Sequence, residues 1–214
     1  MARSQNALIG RTSGSVGGIT FSSWKDVNVI RTKPTDVSNP RTAKQTYQRA
    51  KVIVAIAMLR SILFIVRESF KSAAISMTAP NVFVSRMLRN LRSDSTGIFI
   101  DLPPAVSLSA GTLKPPVSSS FVINSPATYN ITKISDVLED GDNSDDVFCS
   151  AVINLSTLKI TCYKTSLTRG GGGTATLKSE IWQASDYAFY TFYIAPDASN
   201  ASQTFFDHNE LMVP

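Results

Sequence analysis

Few side chains in this sequence of 214 residues could carry chemistry, and the search for a reaction starts from them. The single histidine is His208, close to the C-terminus and beside Asp207 and Glu210. A Ser-His-Asp or Cys-His device would have to use it, yet no Gly-x-Ser-x-Gly elbow is present to hold a serine nucleophile. The plain reading of His208 is a solvated tail. Cys149 and Cys162 lie thirteen residues apart and, with one histidine, do not make a zinc ligand set. The one dense carboxylate cluster runs from Glu139 to Asp146. It could hold calcium through Asp140, Asp142 and Asp145, but its spacing departs from the helix-flanked calcium loop and the terminal bidentate Glu is missing. An acidic loop between two strands is the competing reading. No enzyme is expected from these residues, and no cofactor.

Charge divides the chain more sharply than its net value of +5 suggests. Residues 1–95 carry 15 Lys and Arg against 4 acids, an excess of 11, while residues 96–214 carry 6 against 12, a deficit of 6. Such polarity fits an anionic partner for the front, head-to-tail contact between copies, or charges that are simply solvated. On a helical wheel starting at Arg49, Arg60 falls near about 20°, Arg67 near about 0° and Lys71 near about 40°, so the four form one basic stripe. They could meet phosphates, but no aromatic residues interleave them and no helix-turn-helix or zinc-finger pattern accompanies them, so any DNA contact would be sequence-independent. The longest apolar run, Val52 to Val66, is interrupted by Arg60 and Ser61. As a helix it would span about 22 Å against a hydrocarbon core of about 30 Å, so no membrane span is expected. No apolar leader follows Met1, and a cytoplasmic location is expected in the absence of any assembly.

Three regions must position these residues. Residues 1–38 form a Gly-rich arm and a β-hairpin, with strands Ile19 to Trp24 and Val27 to Arg31 joined near Lys25-Asp26 and a flexible glycine-rich entry before them. Residues 39–95 form a basic helical region. Asn39 and Pro40 supply a start signal, helical spacing runs to about Ala74, and a second helix covers about Val82 to Leu91. Val52, Met58, Leu59, Ile62, Val66 and Phe70 line the apolar face of the first helix, opposite the basic stripe. Residues 96–214 read as short strands punctuated by Pro, Gly and acidic turns, including Ala105 to Leu113, the pattern of an antiparallel sandwich. Tyr187 to Tyr193 resembles the penultimate strand of an immunoglobulin or fibronectin-III domain. The fold expected is therefore α+β, with an N-terminal hairpin and long amphipathic helix before an immunoglobulin-like β-sandwich.

A turn over Asn154 to Thr157 would set Cys149 opposite Cys162 and Ala151 opposite Ile160, giving one apolar face. A longer loop would shift that register. A cross-strand disulfide is geometrically allowed, and two buried thiols are the expected state in a chain without a secretory signal.

Gly10, Gly14, Gly17 and Trp24, then Val29-Ile30-Arg31-Thr32-Lys33-Pro34, Asn39-Pro40-Arg41-Thr42, Gln45 and Gln48-Arg49-Ala50-Lys51 resemble an uncharacterised family of small proteins from Bacteroidetes bacteria and their phages. That resemblance implies no activity and no catalytic residues. It implies a virion component, such as a capsid accessory or a neck or tail ring, assembling in many copies with other virion proteins. A cell-associated immunoglobulin-like module that recognises a carbohydrate or protein is the alternative. On the first reading, neighbouring copies would cover part of the Val52 to Phe70 face with residues 1–38 as a clasp, and the β part from about residue 97 would fold alone.

Overall fold

The computed structural model describes residues 2–4, 13–24, 27–36, 38–94, 97–101, 103–117, 119–125, 128–138, 142–178 and 187–207. The chain divides into two compact units, Met1–Gln45 and Thr46–Pro214. The first holds β1 (Ala2–Ser4), β2 (Gly14–Val16), β3 (Ile19–Trp24) and β4 (Val27–Thr32) in one antiparallel sheet of order β1-β4-β3-β2. Trp24 pairs with Val27, as the expected hairpin requires, while the turn residues Lys25 and Asp26 lie outside the described residues. The glycine-rich entry is a second hairpin and not a flexible lead-in. Val16 pairs with Ile19 across Gly17-Gly18, and Gly17 has φ of 55°, a left-handed conformation that glycine adopts without steric cost.

Helix α1 (Ala43–Ser69) starts later than Asn39-Pro40 suggested. Thr42 is its cap, accepting from the Gln45 amide at 3.4 Å, and Thr42 with Gln45 has the Ser/Thr-x-x-Glu/Gln capping spacing. The helix ends before Ala74 because Ser69 is claimed by a loop: its Oγ donates to the Leu108 carbonyl at 2.9 Å and its own carbonyl accepts from the Ala110 amide at 2.9 Å. Midway, Ile62 leaves helical geometry (φ −120°, ψ 17°). The Ser61 hydroxyl beside it donates to the Met58 carbonyl at 2.8 Å, a back-bond that bends helices. Helix α2 (Ala79–Asn90) begins three residues before the expected start, with Thr78 at the cap position and Pro80 in the first turn where no amide partner is needed.

Strands β5 (Leu91–Ser93) and β6 (Ile98–Ile100) pair with each other, and a single 3-10 turn occupies Pro103–Ala105. The stretch Ala105 to Leu113 is not the expected strand. Val106, Leu108 and Ala110 do alternate inward and are buried, but the Leu108 and Ser109 amides donate to the Thr204 hydroxyl at 2.9 and 3.0 Å in place of a neighbouring strand. Beyond it lie β7 (Ser119–Ser125), β8 (Thr128–Lys133), β9 (Val147–Asn154), β10 (Ile160–Thr168), β11 (Gly173–Lys178), β12 (Tyr187–Ile194) and β13 (Phe205–Asp207). They form a four-stranded sheet of order β10-β9-β12-β13 and a three-stranded sheet of order β11-β8-β7, both antiparallel. The fold is α+β.

The four-stranded sheet is the middle layer of this unit. Along β9, Cys149, Ala151 and Ile153 join Ala188, Tyr190, Phe192 and Ile194 of β12 in the core shared with α1 and α2. The alternate residues Phe148 and Val152, with Phe189 and Tyr193, pack on Tyr129 and Ile131 of the three-stranded sheet. Both faces are covered, which is why β9 and β12 are almost continuously buried. The expected boundary near residue 95 is accordingly not a boundary of packing, because the helices and the strands share one core. The cysteine register also differs. Ile160 pairs with Ile153, Cys162 with Ala151 and Lys164 with Cys149, two residues along from the tight-turn expectation. Leu158 takes a left-handed φ of 55°, and the Asn154 carboxamide accepts from the Ser156 and Thr157 amides at 3.0 and 2.8 Å, closing a longer loop. A slip of two preserves the face, so both cysteines still point to the helix layer.

Candidate functional site

The apolar stripe of α1 is covered by its own chain. Met58, Ile62, Val66 and Phe70 are buried in the core, and Leu59 packs on that core partly buried. Val52 is half-buried. This corrects the expectation that neighbouring copies cover the face, and the reason is the apolar outer surface of the middle sheet: a sandwich has two further faces, and here one of them is built as a helix seat. Residue 70 also closes the helix end, where the Phe70 ring meets Phe83 edge-on at 6.0 Å and the Arg86 guanidinium lies 5.5 Å from the Phe70 ring centre.

The opposite side of α1 stays outside. Arg49, Arg60, Arg67 and Lys71 are all exposed, with Lys71 beyond the helix end and the Ile62 kink lying between Arg60 and Arg67. Large apolar residues sit among them: Ile53 is 69% exposed, Ile56 37% and Phe64 53%. From Arg49 at 100° per residue, Ile53, Ile56 and Phe64 fall within about 60° of the basic stripe. The apolar face expected from the sequence, Val52 to Phe70, does not include these three residues, and the signal for them is the i, i+3 spacing of Ile53 with Ile56 on the charged side. Along one flank, Val54, Ala57 and Met58 of α1 and Leu158, Ile160 and Tyr163 of the β9–β10 hairpin line an apolar groove of about 640 Å³.

The acidic loop has a structural use. Arg169 is 2% exposed, with Nη1 2.7 Å from Asp142 Oδ1 and Nε 3.1 Å from Asp146 Oδ2. Its Nη2 donates to the Lys114 carbonyl at 3.0 Å, and its guanidinium lies 4.6 Å from the Tyr193 ring centre. Lys133 is buried beside it and donates to the carbonyls of Ile134, Arg169 and Gly171 at 3.1, 2.9 and 3.1 Å. Burial pulls the Lys133 ammonium below its ordinary range and pushes the Asp146 carboxyl above its own. Tyr193 closes the cluster by donating to Asp136 Oδ2 at 2.5 Å. Asp142 and Asp146 thus face a buried cation, and among the described residues no group of three or more metal-ligating side chains is assembled. Asp140 lies outside the described residues, as does His208. Lys133 could have been found from alternation, since Tyr129, Ile131 and Lys133 follow the inward positions of β8.

A family model matches residues 11–206. The chain belongs to DUF6266, a family of unknown function. No match was found among curated proteins or among solved structures. No helix of this DUF6266 chain, among the described residues, is long and apolar enough to cross a membrane.

Both thiols of this DUF6266 member are free and buried. Burial pushes Cys149 up to about 12 and raises Cys162 as well. Thiolate is the reactive form, so the folded chain should react with a thiol reagent at neutral pH far more slowly than the chain in urea, where both cysteines should label. The folded state also holds protons that the unfolded state releases above about pH 8.5, so stability should fall as pH rises past that value, by up to about 1.4 kcal/mol per pH unit for each thiol. Urea midpoints across that pH range test the sign. Fast labelling of the native protein would refute the buried placement.

Proposed function

We propose that this DUF6266 protein is a non-enzymatic structural component of a phage particle, a capsid accessory or a neck or tail ring or assembly protein, present in many copies within the virion. The observation that carries the reading is the first unit. Among the described residues of its four-stranded sheet none is buried, yet strand register places Val16, Ile19, Phe21 and Ile30 on one face. A sheet with an apolar face gains its stability by burying that face on something. A sheet built this way serves as a docking arm toward a neighbouring protein of an assembly. The motifs Val29 to Pro34 and Asn39 to Lys51 that resemble the Bacteroidetes and phage family surround the same unit.

The reading of the β part as immunoglobulin-like is supported by strand order. Lettering β7 to β13 as A, B, C, C′, E, F and G sets A-B-E against C′-C-F-G, with the C′ strand beside C on the sheet that carries F and G. Such domains serve as rigid building blocks in assemblies. Two helices on the outer face of the C′-C-F-G sheet make this one an extended unit.

The experiment is mass spectrometry of purified particles from a host carrying the gene, together with sedimentation of the isolated protein. The expected result is the chain in particles at a multiple of the portal or tail-tip copy number. Its absence from particles, with a specific glycan or protein ligand found on binding arrays, would favour the cell-associated module.

A further inference from the structure

A polar cleft lies between α2, the stretch from Pro104 to Gly111 and the residues just before β13. Arg86 of α2 is half-buried there, in a space of about 320 Å³ that Ser107, Ser109, Gln203 and Thr204 also line. Among the described residues that line it none is acidic. Two contacts hold the guanidinium in place: the Phe70 ring, whose centre is 5.5 Å from its carbon, and Ser107 Oγ, which accepts from Nη1 at 2.9 Å. Ser107 in turn donates to the Ser109 carbonyl at 2.9 Å, so its own proton is engaged. The Arg86 Nε and Nη2 donate to no described group. A guanidinium fixed on one side with donors open on the other can take an acceptor with little further ordering.

A second open donor lies in the same cleft. Thr204 Oγ1 accepts from the Leu108 and Ser109 amides at 2.9 and 3.0 Å, which occupies both of its lone pairs. It therefore donates its proton across the 3.0 Å contact to Ser109 Oγ. The Ser109 proton is then left without a described acceptor, on a residue only 1% exposed. Buried hydroxyl donors are ordinarily satisfied, so this one calls for an acceptor from outside the chain.

We propose that this cleft is a binding site for a phosphate group, either the free ion or the head of a small monoester. Arg86 meets two of its oxygens through the open edge of the guanidinium, and Ser109 donates to a third from the cleft wall. A planar carboxylate would be taken up by the guanidinium alone, whereas a tetrahedral group has the out-of-plane oxygen that the hydroxyl needs. Gln203, exposed at the rim, offers its carboxamide donors to the same ligand. The volume is at the small end of ligand pockets, which run from about 300 to 1,000 Å³, and admits a monoester but not a polymer. The site uses neither the first unit nor the outer face of α1, and it is independent of the assembly reading above.

The test is an amide-resolved NMR titration of the full-length protein with inorganic phosphate and, separately, with glycerol 3-phosphate, each against chloride at matched ionic strength. Saturable shifts at Ser107, Ser109 and Thr204 are expected with at least one of the two, and the tighter binder identifies the source. Arg86→Met, which keeps an apolar stem against Phe70, should weaken that binding by about tenfold or more, the loss of a charge-assisted contact. Circular dichroism melts establish that the variant folds. Arg86→Lys, which keeps the charge but loses the fork, serves where Met does not fold and should also bind more weakly. No saturable shift at these amides with either probe would overturn the site. Equal shifts with acetate would overturn the assignment to phosphate, and unchanged affinity in a folded Arg86 variant would overturn the role of the guanidinium.

Discussion

Replacing Arg169 with Met should cost about 3 to 5 kcal/mol of folding stability, the range for removing one member of a buried ion pair. The Arg169 side chain is 2% exposed and that of Asp146 1%, so the Asp146 carboxylate cannot turn to water without unpacking the cluster, while Asp142 at 11% is nearer the surface. Met fills much of the same space, so the loss reports stranded charge and not a cavity. The Lys133 ammonium should not rescue it, because its protons are already directed at three backbone carbonyls. Adding Asp146→Leu and Asp142→Asn to Arg169→Met should recover most of the stability, since an apolar or neutral set of similar volume avoids the desolvation that the ion cluster carries. Urea unfolding of the three proteins gives the answer. A loss below about 1 kcal/mol for the single variant would mean that the cluster is solvated.

Residues 97–214 produced alone should aggregate or bind hydrophobic dyes, in contrast to the sequence-based expectation that this part folds by itself. Without α1 and α2 the middle sheet would expose Ile153, Ile160, Tyr190, Phe192 and Ile194 on one contiguous face, all of them buried in the intact chain. Each large apolar side chain contributes about 1.5 to 3 kcal/mol on burial. Five of them match the whole stability of a typical domain, about 5 to 15 kcal/mol. Residues 46–214 should by contrast remain soluble and unfold cooperatively, because that range contains the helix seat and its occupant. A soluble, cooperatively folding 97–214 fragment would show that the helix layer is dispensable.

The local elements of this chain were legible in the residues. Alternation marked the two strands of the hairpin from Ile19 to Arg31 to within a residue, the second helix was legible from Val82 onward though not its start at Ala79, and the apolar stripe of α1 from Met58 to Phe70 was visible as a face that must be covered. Local signals also held what was passed over: Gly17-Gly18 as a two-residue turn, and Thr42 with Gln45 as the true cap. Those signals act within a few residues, where backbone sterics and hydrogen-bond reach decide the outcome. Tertiary structure alone decided what lies against the α1 stripe. A run such as Tyr187 to Ile194, apolar at every position, announces burial on both faces but does not name the layers, and the choice between a second copy and the chain's own sheet turns on contacts between α1 and strands about a hundred residues away. Packing likewise paired Arg169 with Asp142 and Asp146, because charge attraction follows distance in space and desolvation follows burial, neither of which spacing along the chain records.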